Sequence, residues 1–324
     1  MPANKKFLGV EIGGTKLQLS AVDSAGTMEQ VVRYTIDSAG GAVNIQTQIA
    51  EGLKKNYNYN DILAIGIGFG GPVDWISGSV RISHQVSGWE DFNLTAWLEE
   101  LTKKPVVIEN DANVAALAEA VYGCGKGYER VFYMTIGSGI GGGMIVNGDI
   151  YHGRTPGEAE IGHLRLNKKG VTLESRCSGW AVNKKIKRFI RNNPESVLAQ
   201  IAGNSENPES IFLKPALEQN DEAAKKMVEE IADDISFALS HVVHLFHPDI
   251  IVIGGGLSLL NEHLRKPVAE RLPDYVMKAF LPVPPVMIAA LGENVVPLGA
   301  AELARKHWLQ TGQSNFIKHS TINS

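Results

Sequence analysis

Residues 7–23 form a glycine-tipped hairpin pattern that few folds can accommodate. Two runs of alternating apolar residues flank a turn made of Gly13, Gly14, Thr15 and Lys16. Glycines allow backbone N–H groups to approach a ligand closely, while Thr15 adds a hydroxyl and Lys16 a positive charge, so the turn suits phosphate. The alternation continues after Lys16, which predicts a strand-turn-strand unit and not a P-loop, whose glycines lead into a helix.

The same unit recurs about 120 residues further along the chain. Residues 131–150 again have an apolar strand on either side of a glycine-rich tip. The tip comprises Gly137, Ser138, Gly139, Gly141, Gly142 and Gly143. One such hairpin would be ordinary, but its recurrence predicts two similar lobes that face one another with both tips converging on one polyanion.

Length and charge exclude several classes of protein. The chain has 324 residues, enough for two domains with separate cores, and its net charge of −4 argues against a nucleic-acid surface. No window reaches the roughly 18–20 apolar residues that cross a bilayer, and residues 1–6 are too few for a signal peptide, so we expect a cytoplasmic protein. Two cysteines, Cys124 and Cys177, cannot build a disulfide framework or a cysteine-rich zinc site.

Polar residues follow two predicted buried strands. The strand over residues 62–68 runs into a turn at Gly71, where the chain can pass close to a ligand. The strand over 105–108 is followed by the polar run 109–113 and a helix over 114–122. Open α/β sheets bind ligands at the carboxyl ends of their strands, so Asp111 is a candidate functional residue. The alternative is that Asp111 only caps the helix.

Four further patterns bear on ligand or metal binding. In the loop-rich stretch 153–179, the side chains of Glu158, Glu160, His163 and Glu174 could converge on a polyhydroxy ligand. Residues 249–256 predict a buried strand that ends in three glycines. His241, His244 and His247 are spaced three apart on a predicted helix, but no acidic residue shares that spacing, which favours packing over a metal site. Two matches to GxGxxG do not open a helix, which argues against a dinucleotide site.

Seven fragments of the sequence, in this order, together resemble the ROK family of sugar kinases. They are EIGGTK from Glu11, GGPV from Gly70, ENDAN from Glu109, TIGSGIGGG from Thr135, EIGH from Glu160, PDIIVIGGG from Pro248 and PLGAAELA from Pro297. The resemblance implies an α/β fold of the two-lobed ribonuclease-H-like actin/hexokinase (ASKHA) type with an internally duplicated βββαβαβα core. It implies an N-terminal lobe of residues 1–114 plus 303–324 and a C-terminal lobe of 115–302, closing on a hexose and Mg-ATP. A homodimer is expected on the same ground.

The resemblance also assigns roles to individual residues. Asp111 matches the catalytic base. The sugar-binding residues are expected to be Asn110, Glu160, His163 and Glu174, with Gly71 as the close-approach position beside the substrate. The residues matched to nucleotide binding are Gly13, Gly14, Thr15, Lys16, Gly137, Ser138, Gly139, Gly254, Gly255 and Gly256. Glu11 is matched to the acidic residue that helps to hold Mg²⁺.

The chain departs from the family pattern at three points. The cysteine cluster expected between His163 and Glu174 is absent, so we expect no zinc site, and His163 remains available for the sugar. Glu11 stands where most members have Asp, which moves the carboxylate further from the backbone. Gln85 stands near the position of a sugar-contacting Asn, which leaves the identity of the sugar open.

The resemblance therefore predicts ATP-dependent phosphorylation of a hexose, glucose or a related sugar, at its 6-hydroxyl. Two alternatives come from the same family: a sugar-responsive transcription regulator and a sugar-binding protein without catalysis. The regulator would resemble the kinase with a DNA-binding helical domain in front, for which we expect no room before Phe7. ADP release that depends on sugar would distinguish these functions.

Overall fold

The computed structural model describes residues 5–83, 85–155, 157–203, 205 and 209–320. The strands are β1 (Lys6–Ile12), β2 (Lys16–Val22), β3 (Met28–Thr35), β4 (Ile62–Phe69), β5 (Val73–Asp74), β6 (Ser79–Val80), β7 (Val106–Asn110), β8 (Arg130–Ile136), β9 (Ile140–Val146), β10 (Asp149–Ile150), β11 (Ile250–Gly254) and β12 (Val286–Ile288). The helices are α1 (Gly41–Asn56), α2 (Leu94–Thr102), α3 (Asp111–Tyr122), α4 (Leu173–Cys177), α5 (Gly179–Asn192), α6 (Val197–Ala202), α7 (Leu213–Glu218), α8 (Glu222–Phe246), α9 (Glu262–Tyr275) and α10 (Val295–Ser320).

The chain divides into two compact units. Unit 1 is built from the described residues of Met1–Gly123, Gly148–Glu158 and Glu293–Ser324, and unit 2 from those of Cys124–Asn147 and Ala159–Gly292. The lobe boundary that we expected after residue 114 would fall inside α3. This helix stays whole in unit 1 because it packs along α10, so closely that a Cβ on Gly299 would lie 1.8 Å from the carbonyl oxygen of Val114.

Unit 1 contains a mixed sheet with the strand order β3-β2-β1-β4-β7. The hairpin strands β1 and β2 pair antiparallel, as do β2 and β3, whereas β1, β4 and β7 run parallel. Helix α10 crosses the sheet at two central glycines: a Cβ on Gly9 would lie 1.8 Å from Pro297 O, and one on Gly66 would lie 1.8 Å from Ala300 O. The helix can approach the parallel strands this closely only because those positions lack side chains.

Unit 2 repeats this arrangement. Its strands lie in the order β9-β8-β11-β12, with β8 and β9 antiparallel and β8, β11 and β12 parallel. Helix α8 buries an apolar stripe that includes Ile231, Ile235 and Leu239, and Asp221 caps it by accepting a hydrogen bond from Ala224 N at 2.7 Å. The recurrence of a hairpin followed by parallel strands confirms the predicted internal duplication.

None of the helices in the described part of the chain combines the length and the apolar character that crossing a membrane requires.

Candidate functional site

The carboxyl ends of three parallel strands of unit 1 lie side by side. Ile12 of β1 pairs in register with Phe69 of β4, and Phe69 pairs with Asn110 of β7. The next residue on each strand therefore emerges at the same edge of the sheet. This register brings together Gly13, Gly70 and Asp111, which belong to three separate sequence motifs.

The first glycine turn and the Asp111 carboxylate meet at Gly70. In the turn, Gly13 N donates to Lys16 O at 2.9 Å, and Gly70 N donates to Ile12 O at 2.8 Å. A Cβ on Gly70 would lie 3.4 Å from Asp111 Oδ2 and 3.4 Å from Gly13 Cα. An acidic side chain therefore stands next to a turn whose backbone suits phosphate, within one unit of the protein.

Asn110 is the N-cap of α3. Its Oδ1 accepts a hydrogen bond from Ala112 N at 2.9 Å, and its Nδ2 donates to Gly71 O at 3.1 Å. Asp111 is the first residue of the helix, so the alternative that Asp111 is its cap is wrong. Asn110 is the cap because it has the extended backbone conformation that an N-cap requires.

The cap gives a prediction about stability. Asn110→Ala is expected to lower the free energy of unfolding by about 0.5–2 kcal/mol, because the N–H of Ala112 loses its acceptor. Asn110→Asp keeps a carboxylate oxygen for that N–H and is expected to cost less. Chemical denaturation of the two variants measures the difference, and equal losses would show that the cap is not the source.

Glu11 lies beside the first turn with both carboxylate oxygens engaged. Its Oε1 lies 3.2 Å from Lys16 Nζ, and its Oε2 accepts from Gln18 Nε2 at 2.5 Å. Burial raises the pKa of Glu11, although Lys16 and Gln18 oppose this shift. One hard carboxylate fits Mg²⁺, which takes few protein ligands and completes its shell with phosphates and water. To hold Mg²⁺, Glu11 would have to use its Oε1 for both the ion and Lys16.

Gln85 is another neighbour of the first turn. A Cβ on Gly14 would lie 1.2 Å from Gln85 Oε1, so the glutamine side chain occupies the space that any other residue at position 14 would need. Because Gln85 is exposed and its Oε1 is the far end of a flexible side chain, the glutamine would have to move aside for a larger residue at position 14.

The second glycine turn, in unit 2, is formed by residues 137–139. Gly137 N donates to Gly139 O at 2.9 Å, and Gly179 N, at the start of α5, donates to Gly137 O at 2.8 Å. The N-terminus of a 14-residue helix thus abuts the turn, an arrangement that favours anions. The prediction that Gly141, Gly142 and Gly143 belong to the tip is wrong, because they pair along β8 as part of β9.

Glu174 and the short turn that carries Glu160 and His163 both lie against Ile140, the first residue of β9. Glu174 Oε2 accepts from Ile140 N at 2.8 Å. The short turn that carries Glu160 and His163 packs on the same residue, since a Cβ on Gly162 would lie 2.2 Å from Ile140 O. The side chains of Glu160 and His163 are exposed, so they are accessible to a ligand.

The glycines at the end of β11 are close to the second turn. A Cβ on Gly254 would lie 2.1 Å from Tyr133 Oη, and one on Gly255, whose φ is +80°, would lie 2.6 Å from the backbone of Ile136. Gly256 has open space where a side chain would be. The three glycines therefore run past the end of β8, which leads into the turn.

Sequence reasoning missed a cluster in unit 1. Glu109, His152 and Glu158 offer ligand atoms that all lie within 4.8 Å of one another. Burial opposes protonation of His152, but its hydrogen bond to Glu109 and the charges of Glu109 and Glu158 outweigh this effect and raise its pKa. Glu158 lies in unit 1. The sequence analysis groups it with Glu160, His163 and Glu174, which all lie in unit 2. No periodic pattern links these positions, so the sequence carried no signal for the cluster.

The three histidines near the end of α8 make local contacts instead of forming such a cluster. His241 Nδ1 lies 2.9 Å from Phe237 O, His244 Nε2 accepts from Met277 N at 3.1 Å, and His247 stacks on Phe280. These contacts agree with the packing role that the sequence favoured.

Comparisons with known proteins cover nearly the whole chain. A model of the ROK family matches residues 7–307. The glucokinase of Thermotoga maritima is 31% identical over 310 residues, which cover 93% of this chain and 98% of that protein. The glucokinase of Halalkalibacterium halodurans is 30% identical over 331 residues, which cover 98% of each.

A solved structure extends the likeness to three dimensions. The ROK family glucokinase from Streptomyces griseus, in complex with glucose and AMPPNP, has a TM-score of 0.82 at 29% identity, covering 93% of this chain and 99% of that one. The ROK hexokinase from Thermus thermophilus has a TM-score of 0.75. The predicted ribonuclease-H-like actin/hexokinase fold is confirmed.

Proposed function

The chain belongs to the ROK family, and from this premise we propose that it is an ATP-dependent sugar kinase that phosphorylates glucose or a related hexose at the 6-hydroxyl. The observation that carries the proposal is the position of the Asp111 carboxylate beside the first glycine turn, at Gly70. A base next to a phosphate-binding turn is what transfer from a nucleotide to an alcohol requires.

In the proposed reaction Asp111 is the general base. It accepts the proton of the sugar hydroxyl while the hydroxyl oxygen forms a bond to the γ-phosphorus of ATP. The bond between the γ-phosphorus and the bridging oxygen breaks, and ADP leaves with the electron pair. Because α3 begins at Asp111, the carboxylate is attached to a rigid element and needs little reorganisation during the reaction.

Backbone N–H groups of the two glycine turns are proposed to bind the phosphates of ATP, assisted by Lys16 in unit 1 and by the N-terminus of α5 in unit 2. Glu11 is the residue proposed to help hold Mg²⁺. When bound, Mg²⁺ neutralises charge that develops on the phosphoryl oxygens. The glycines 254–256 are proposed to lie against the adenosine.

The sugar hydroxyls are proposed to bind Asn110 and Gly71 in unit 1, and Glu160, His163 and Glu174 in unit 2. Carboxylates accept hydrogen bonds from hydroxyls, and the amide and imidazole can either donate or accept them. The Oδ1 of Asn110 already accepts the hydrogen bond of the helix cap. Its Nδ2 donates to Gly71 O and has a second N–H that can donate to a sugar oxygen.

A coupled ADP-release assay tests this function. We expect ADP release to depend on a hexose and to be fastest with glucose or a near relative among glucose, fructose, mannose, allose, N-acetylglucosamine and N-acetylmannosamine. Product analysis should locate the phosphate on the 6-oxygen. Sugar binding without ADP release would contradict the kinase proposal and favour a sugar-binding protein without catalysis.

A further inference from the structure

The cluster formed by Glu109, His152 and Glu158 has the composition of a metal site. Glu109 is only 3% exposed, and its Oε2 lies 2.6 Å from His152 Nε2. Ligand atoms around an ion with bonds of about 2.0–2.2 Å lie no more than about 4 Å apart, so only small movements would bring all three onto one ion. Two carboxylates and one imidazole also supply the charge that a divalent cation needs.

Outer contacts hold the two carboxylates in position. Glu109 Oε1 accepts from Asn110 N at 2.8 Å and from Asn113 Nδ2 at 3.1 Å. Glu158 Oε2 accepts from Gly153 N at 2.9 Å, and its Oε1 accepts from Asn113 Nδ2 at 2.6 Å. Such outer partners orient the ligands of protein metal sites.

The Asn113 amide provides an independent observation that points to a ligand at this cluster. The residue is 3% exposed, and while its Nδ2 donates to both carboxylates, its Oδ1 has no hydrogen-bond partner among the described residues. Buried polar atoms are almost always paired. A rotation of the amide by half a turn would replace the two Nδ2 hydrogen bonds and direct this oxygen towards a cation held by Glu109 and Glu158, as a fourth ligand. The carboxylates would then still be held by Asn110 N and Gly153 N.

The cluster is also accessible. Glu109 and His152 line a cleft of unit 1 of about 630 Å³, together with Trp75, whose ring stacks on His152 at a centroid distance of 4.1 Å. An ion can therefore enter from solvent, while the stacked indole restrains the imidazole.

We propose that Glu109, His152 and Glu158, with Asn113 as a fourth ligand, bind one divalent transition-metal ion of the Zn²⁺ or Mn²⁺ type. Imidazole favours this class over Mg²⁺ and Ca²⁺, and the absence of thiolates disfavours softer ions. Bound there, the ion joins the segment 148–158 to the carboxyl end of β7. The site is separate from the Mg²⁺ position proposed at Glu11, and it differs from the cysteine-based zinc site, between His163 and Glu174, that the sequence predicts to be absent.

The test is metal binding by tag-free, full-length protein that has been stripped with chelator and kept free of nucleotide. Zn²⁺ titration by calorimetry should give one ion per chain, and Co²⁺ should give absorption bands of a site with nitrogen and oxygen ligands. His152→Ala and the more conservative Glu158→Gln are each expected to weaken Zn²⁺ binding at least about tenfold, since changes to outer-shell partners alone cost that much.

His241→Ala is the matched control, because it removes a half-buried imidazole from unit 2 and should leave the affinity unchanged. Thermal unfolding of each variant without metal checks that it is folded. The proposal is overturned if the wild-type protein binds no stoichiometric ion. It is also overturned if folded His152→Ala and Glu158→Gln bind Zn²⁺ as the wild type does, in which case Glu109 and His152 form an ion pair only.

Discussion

Asp111→Asn is expected to lower kcat for the best sugar by about 10²- to 10⁴-fold, with little change in KM. Asparagine has the same shape and can begin α3 as aspartate does, but it cannot accept the hydroxyl proton. Because the amide remains beside Gly70 and the first turn, binding of sugar and ATP should persist while the chemical step is lost.

Steady-state ADP release at saturating sugar and ATP measures this effect, and sugar binding by the variant can be followed by calorimetry. Asp91→Asn is a suitable control, since it removes the charge of an exposed aspartate that forms an ion pair with Arg81 at 3.3 Å. Near-normal turnover of Asp111→Asn would exclude Asp111 as the base, even if the sugar-kinase activity itself is found.

Gly66→Ala is expected to reduce the free energy of unfolding by about 1–3 kcal/mol or more. The new Cβ would lie 1.8 Å from Ala300 O, 2.6 Å from Ala300 C and 3.3 Å from Ala304 N. All three are backbone atoms of α10, so no side chain can rotate away and the helix must move off the sheet. Alanine in a strand would otherwise be favourable relative to glycine, which loses more backbone entropy on folding.

Chemical denaturation measures this loss, with Ser20→Ala as the control in the same sheet. Ser20 is fully buried in β2, and its hydroxyl has no hydrogen-bond partner within the described part of the chain. Its removal should therefore be neutral or stabilising. If Gly66→Ala were as harmless as Ser20→Ala, the close approach of α10 to β4 would not be a determinant of stability.

The elements on which the proposed function depends were predictable because their signals are local. Apolar residues alternate with a period of two on either side of residues 13–16 and again around 137–139. This alternation indicates strands, and it depends only on residues that are neighbours along the chain. Both hairpins form as predicted, with Ile12 paired to Leu17 and Ile136 to Ile140. The long helix α8 likewise follows from its apolar stripe and from its Asp221 cap.

Some details could not be decided from the sequence because neighbouring residues can exchange roles. Asn110 and Asp111 both suit an N-cap, and only the backbone conformation at the end of β7 decides that Asn110 takes it. Similarly, the glycines 141–143 look like a continuation of a turn, but the ladder with β8 extends them into a strand.

The sequence by itself determined the two glycine-tipped hairpins, the family to which the chain belongs and the candidate base. The alternation of apolar residues, the capping residues and the order of the motifs can all be recognised from residues that are close together in sequence. Only the tertiary structure decided that Gly13, Gly70 and Asp111 share one sheet edge and that His152 returns to Glu109, which is 43 residues away in sequence. Contacts of that kind depend on strand register and on where a loop returns, and no pattern among adjacent residues encodes them.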